Sequence, residues 1–159
     1  MARSREVITD SSPCDLAKNW GIHPQVAEKV FTAAMLFEIE ARVLGKMGNP
    51  KVSIISGART KAQQDALRRS GRPAARDDLS THRSCPATGV DISLGPFPSL
   101  AQKISWGRNV MQQGLRWGGG SPLDSDPFPA FPGANWRGGI PEDWQHVDLG
   151  PRQRPLNAF

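Results

Sequence analysis

Thr88-Gly89-Val90-Asp91-Ile92-Ser93 sets a carboxylate between two apolar residues. Side chains two apart in a strand share a face, so Val90 and Ile92 turn one way and Asp91 the other. Asp143-Trp144-Gln145-His146-Val147-Asp148-Leu149 alternates in the same manner. Read as a strand, it places Trp144, His146 and Asp148 on one face. Asp143 precedes His146 by an odd number of residues, so an ideal strand would aim it elsewhere. It is expected at a bend or at the strand's start, in keeping with Pro141 just upstream.

With His82, in Leu79-Ser80-Thr81-His82-Arg83, these strands offer two imidazoles and one carboxylate. His82, Asp91 and His146 would give a divalent metal three protein ligands and leave a fourth position for water. That is the layout of a catalytic rather than a structural zinc site. Asp143 is then the candidate base, with Glu142 as the neighbour that would replace it if the register is off by one.

Working outward, residues up to about Gly21 read as an irregular or weakly helical lead-in. Pro24 suits a helix start, and Val26, Val30, Ala33, Phe37, Ala41 and Leu44 recur at helical spacing until Gly45 and Gly48. Residues 52–56 read as a strand. Residues 60–70 read as a helix capped by Thr60 and stopped by Gly71, and 100–113 as a third helix. The glycine- and proline-rich stretch 118–141 is expected to be an ordered surface excursion, either an ornament or a wall of the cleft. The tail 150–159 reads as extended.

Four segments in order carry a resemblance: Ser56-Gly57-Ala58-Arg59-Thr60 with Gln64; Ser80-Thr81-His82 leading to Gly89-Val90-Asp91; Arg116-Trp117-Gly118-Gly119; and Asp143-Trp144-Gln145-His146-Val147-Asp148. Together they resemble the zinc D-alanyl-D-alanine carboxypeptidase family, peptidase family M15, which includes the phage L-alanyl-D-glutamate endopeptidases (endolysins). The likeness runs over about 52–149. It implies an α+β fold, hedgehog/D-Ala-D-Ala peptidase-like, with a small antiparallel sheet carrying the metal ligands and helices flanking it. It also implies one Zn2+ held by His82, Asp91 and His146, with Asp143 as proton shuttle. By the same resemblance Arg59 binds the substrate carbonyl and the oxyanion, and Ser80 helps hold the peptide. One departure stands out: eight residues separate His82 from Asp91, more than that family usually places there, as if residues around Cys85-Pro86 were inserted. A longer loop can leave both ends in place. It could also bring the Cys85 thiolate to the metal; Asp91 is preferred, because a carboxylate suits a hydrolytic site.

Length bounds the chain to one compact domain over 1–159, which the resemblance implies is a single peptidase domain. The net charge of +5 suits an anionic polymer, but dispersed arginines explain it as well, and no motif supports specific nucleic-acid binding. Two cysteines far apart in sequence make no disulfide framework. No segment is expected to enter a membrane, and the charged amino terminus lacks the apolar stretch of a signal peptide. Synthesis in the cytoplasm is therefore expected, with the cell wall reached after lysis, through a holin-type pore, or by carriage on a virion with virion components as partners.

Several residues have plainer roles to set against these. His23, the remaining histidine, suits a surface or capping position. Ser80 could cap a turn, and Gln64 could support the Arg59 loop. Asp148 could orient a metal ligand from behind or sit solvated at a strand end, and Trp117 and Trp144 suit the core. The expected activity is zinc-dependent hydrolysis of the peptidoglycan stem peptide, with the phage-type endopeptidase preferred over a D-alanyl-D-alanine carboxypeptidase or dipeptidase. A non-catalytic zinc-stabilised binding or virion module is the alternative of another class, though it would need neither Asp143 nor Arg59. A non-haem iron oxygenase using a two-His-one-carboxylate triad is disfavoured because the sequence lacks the strand-rich length of a double-stranded β-helix.

Overall fold

The computed structural model describes residues 5–44, 50–71, 80–118 and 144–149. The expectations for the 118–141 excursion beyond Gly118, for the tail, and for Asp143 and Glu142 lie outside these residues. Among these residues the fold is α+β: four α-helices and a four-stranded antiparallel sheet of order β1-β2-β4-β3.

After a 3-10 turn at Ile8–Asp10, α1 spans Pro13–Trp20. This lead-in is more regular than its composition implies, because both helix ends are capped. The Ser12 hydroxyl accepts from the Asp15 N–H, Pro13 occupies the first turn, and Gly21 closes the helix at φ 63°. Leu16 and Trp20 then reach the core. Helix α2, Pro24–Leu44, begins at the expected proline, with the His23 ring Nδ1 accepting from the Gln25 N–H. It buries Val26, Val30, Ala33, Phe37 and Ala41 along one face. A fully buried side chain such as Phe37 contributes on the order of 1.5–3 kcal/mol. Helix α4, Leu100–Gln112, packs on α2 and brings Trp106 edge-on to Phe37, with ring centroids 6.1 Å apart.

The strands are β1 (Ser53–Ser56), β2 (Gly89–Ser93), β3 (Arg116–Trp117) and β4 (His146–Asp148). Their apolar residues Ile54, Ile92, Val90, Val147 and Trp117 form one core with α1, α2 and α4. Helix α3, Lys61–Arg69, buries Gln64 and starts with a capping box between Thr60 and Gln63. Among the described residues no helix is long and apolar enough to cross a membrane.

Candidate metal centre

Strand register builds the site. Across the sheet Ser56 stands opposite Asp91, Asp91 opposite His146, and Asp148 opposite both Gly89 and Arg116. Directly opposed residues project on the same side, so the sheet carries a polar row, Ser56, Asp91, His146, Asp148 and Arg116, on the face away from its core residues. The period-two pattern of β2 and β4 dictates this arrangement. His82 is delivered separately, from the turn at Thr81 and His82 rather than from a strand. The turn is tied down by backbone bonds from Arg59 N–H to the His82 carbonyl (2.9 Å) and from Thr88 N–H to the Thr81 carbonyl (2.9 Å).

Three donor atoms converge. His82 Nε2 lies 3.3 Å from His146 Nδ1 and 3.3 Å from Asp91 Oδ1, and His146 Nδ1 lies 2.9 Å from Asp91 Oδ1. A tetrahedron with metal–ligand arms of about 2.0–2.1 Å has edges of about 3.3–3.4 Å, so the two sides of this triangle that meet at His82 match such a face, while the His146–Asp91 side, at 2.9 Å, is that of a hydrogen-bonded pair. The chemistry of the donors fits as well, because the outer nitrogen of each ring is engaged elsewhere. His82 Nδ1–H donates to the Gly57 carbonyl at 2.7 Å, and His146 Nε2 faces the Asp148 carboxylate at 2.9 Å. His82, Asp91 and His146 together can hold a metal ion.

Charge is concentrated around this triangle. Arg59 places one guanidinium nitrogen on Asp91 Oδ2, while its Nε donates to Ser56 Oγ at 2.9 Å and another nitrogen lies 3.4 Å from Gln64 Oε1. Arg116 donates to both oxygens of Asp148, from Nε at 2.9 Å and from a terminal nitrogen at 2.7 Å. Burial works against ionising the imidazole of His146, but its bonds to Asp148 and Asp91 outweigh that and raise it to about 10 without a metal. Burial would raise both carboxyls, yet His146 and His82 hold Asp91 well below the carboxylate range. His146 and Arg116 lower Asp148 to about 2.

The cluster unites His82, Asp91 and His146, with Arg59 alongside. Ser80 lies at its edge, where its hydroxyl accepts from the His82 N–H at 3.3 Å and so supports the turn. Cys85 is exposed and is not part of the group, so among the described residues it is Asp91 that joins the two histidines in a cluster that could hold a metal ion. His23 serves as a helix cap. Trp117 is fully buried and donates from Nε1 to the Trp144 carbonyl at 2.6 Å; the Trp144 ring packs partly on the core, with Lys103 Nζ 5.0 Å from its centroid. Sequence reasoning missed the roles of Thr81, Gly57 and Gly89 and the pairing of Arg116 with Asp148. Thr81 Oγ1 lies 3.3 Å from His146 Nε2, and a Cβ at Gly89 would meet Thr81 Oγ1 at 2.1 Å and His146 Cε1 at 2.9 Å. A backbone carbonyl such as Gly57's leaves no sequence signal, and β3 is too short for a periodic one.

No protein-family model and no curated protein matches the chain. Among solved structures it resembles the crystal structure of the Serratia marcescens L-Ala D-Glu endopeptidase ChiX, with a TM-score of 0.50 and 19% identity over 91% of this chain and 90% of that one. The likeness is one of fold.

Proposed function

We propose that the chain is a metallopeptidase of the peptidoglycan stem peptide, specifically a zinc-dependent L-alanyl-D-glutamate endopeptidase of the phage-lysin type. The observation that carries this reading is the convergence of His82 Nε2, His146 Nδ1 and Asp91 Oδ1 beside the Arg59 guanidinium. The fold shared with an enzyme named for that activity agrees with it. A divalent ion held by the three donors would supply Lewis acidity, bringing the pKa of water towards neutrality. Asp143 would accept the proton of the attacking water and return it to the leaving amine. Arg59, braced by Ser56 and Gln64, would stabilise the oxygen that turns negative, a contribution of roughly 3–4 kcal/mol by analogy with other oxyanion donors. Ser80 would orient the peptide next to the His82 turn.

The test is digestion of purified peptidoglycan by zinc-loaded protein, with mass spectrometry of the released peptides. New L-alanine carboxyl ends paired with D-glutamate amino ends are expected. Release of terminal D-alanine would move the assignment to a carboxypeptidase, and intact peptidoglycan despite bound zinc would favour a non-catalytic module. His146→Ala should lose both zinc and activity, and His23→Ala neither.

A further inference from the structure

The two imidazoles are backed by different groups. His82 presents Nε2 to the cluster and rests Nδ1 on a neutral backbone carbonyl, that of Gly57. His146 presents Nδ1 and rests Nε2 on a carboxylate, that of Asp148. Asp148 is fully buried, a costly place for a charge unless it is paired and hydrogen-bonded. The Arg116 guanidinium provides that pairing through a two-pronged contact, 2.9 and 2.7 Å. Arg116 is brought there because β3 sets it directly opposite Asp148 on β4.

An imidazole that donates to an ionised acceptor is locked in one tautomer and becomes a better metal donor than one resting on a neutral carbonyl. We propose that Arg116 and Asp148 act as a positioning pair that fixes the proton of His146 on Nε2, aims Nδ1 at the metal, and makes His146 the stronger of the two histidine ligands. The inference rests on the metal-centre reading. Its alternative is a purely structural ion pair that ties β3 to β4, which would contribute to stability and leave metal affinity alone.

The experiment uses the full chain, with zinc affinity measured by competition against a chromophoric chelator at one fixed pH. Ring-nitrogen NMR of labelled histidine on the zinc-loaded wild type accompanies it. Asp148→Asn keeps the shape and removes the charge, and should weaken zinc binding by about 10- to 100-fold, the range for supporting carboxylates. Arg116→Lys keeps the charge and loses the fork, and should give a smaller loss. The NMR spectrum should place the His146 proton on Nε2. Wild-type affinity in both variants would overturn the proposal, as would a His146 proton on Nδ1 in the wild type, a result that holds even if Asp148→Asn does not fold. A wild type that binds no zinc would overturn the metal-centre reading itself, whereas normal wild-type binding with unaltered variants would sink only the positioning pair.

Discussion

Asp143 separates an enzyme from a metal-bearing binding module. If Asp143 is the proposed proton shuttle, it contributes to turnover without holding the proposed zinc ion, so Asp143→Asn should keep the fold and the metal while slowing hydrolysis by about two to four orders of magnitude. Stem-peptide hydrolysis by wild type, Asp143→Asn and Glu142→Gln, with zinc content determined for each, provides the check. Full turnover in Asp143→Asn and loss in Glu142→Gln would shift the base by one residue. Asp91 shows how far one residue's surroundings matter. It touches both histidines and Arg59, and its hydrogen bonds to His146 and His82 keep it ionised against its burial. Its identity as a ligand candidate was legible from the Val90-Asp91-Ile92 alternation. Its contact with Arg59 was not, because the two lie on separate elements.

The short strands β3 and β4 owe their place to what packs behind them. Trp117 is buried against α4, where Gly107 lets the indole approach so closely that a Cβ would meet ring carbons at 2.3, 2.4 and 2.6 Å. Gly107→Ala therefore sets two effects against each other. Helix propensity favours alanine by about 0.8–1 kcal/mol, whereas forcing extra volume into a packed core costs about 1–3 kcal/mol. The ring is fully buried and its Nε1 is tied to the Trp144 carbonyl, so it has little room to withdraw and the overpacking term should win. Thermal unfolding should show a lower midpoint for Gly107→Ala, by a few degrees for each kcal/mol in a domain of this size. A raised midpoint would mean that the indole yields easily. Helices α2, α3 and α4 were readable to within a residue or two, with Pro24 and an apolar period marking α2 and Thr60 capping α3; the capping box at Ser99 that starts α4 came from the structure.

Across the whole metal-free molecule, the buried charge cluster makes stability depend on pH from both sides. Asp148 is lowered from its ordinary 3.8 to about 2, so its contribution is complete above 3.8 and is lost as pH falls through about 2. His146 is raised from 6.5 to about 10, so its contribution is complete below 6.5 and is lost as pH rises through about 10. With a chelator present, the urea midpoint of the wild type should fall towards both extremes, and His146→Ala should flatten the profile. An equally curved profile in His146→Ala would assign the effect to other groups. Zinc should reverse the alkaline limb, because ligand binding to the folded state stabilises it and the metal competes with the proton on His146.

The amino-acid order alone was enough for the types of α2, α3, α4, β1, β2 and β4 and for naming His82, Asp91 and His146 as a candidate metal-binding group, since alternation and capping act over a few neighbouring residues. It also placed His23 at a helix start and Trp117 in the core. The order of the strands, the pairing of Asp148 with Arg116 and the resting of His82 on the Gly57 carbonyl came from the folded chain. These depend on contacts between residues far apart in sequence, and the register that brings them together is set by burying the opposite face of the sheet against α2 and α4.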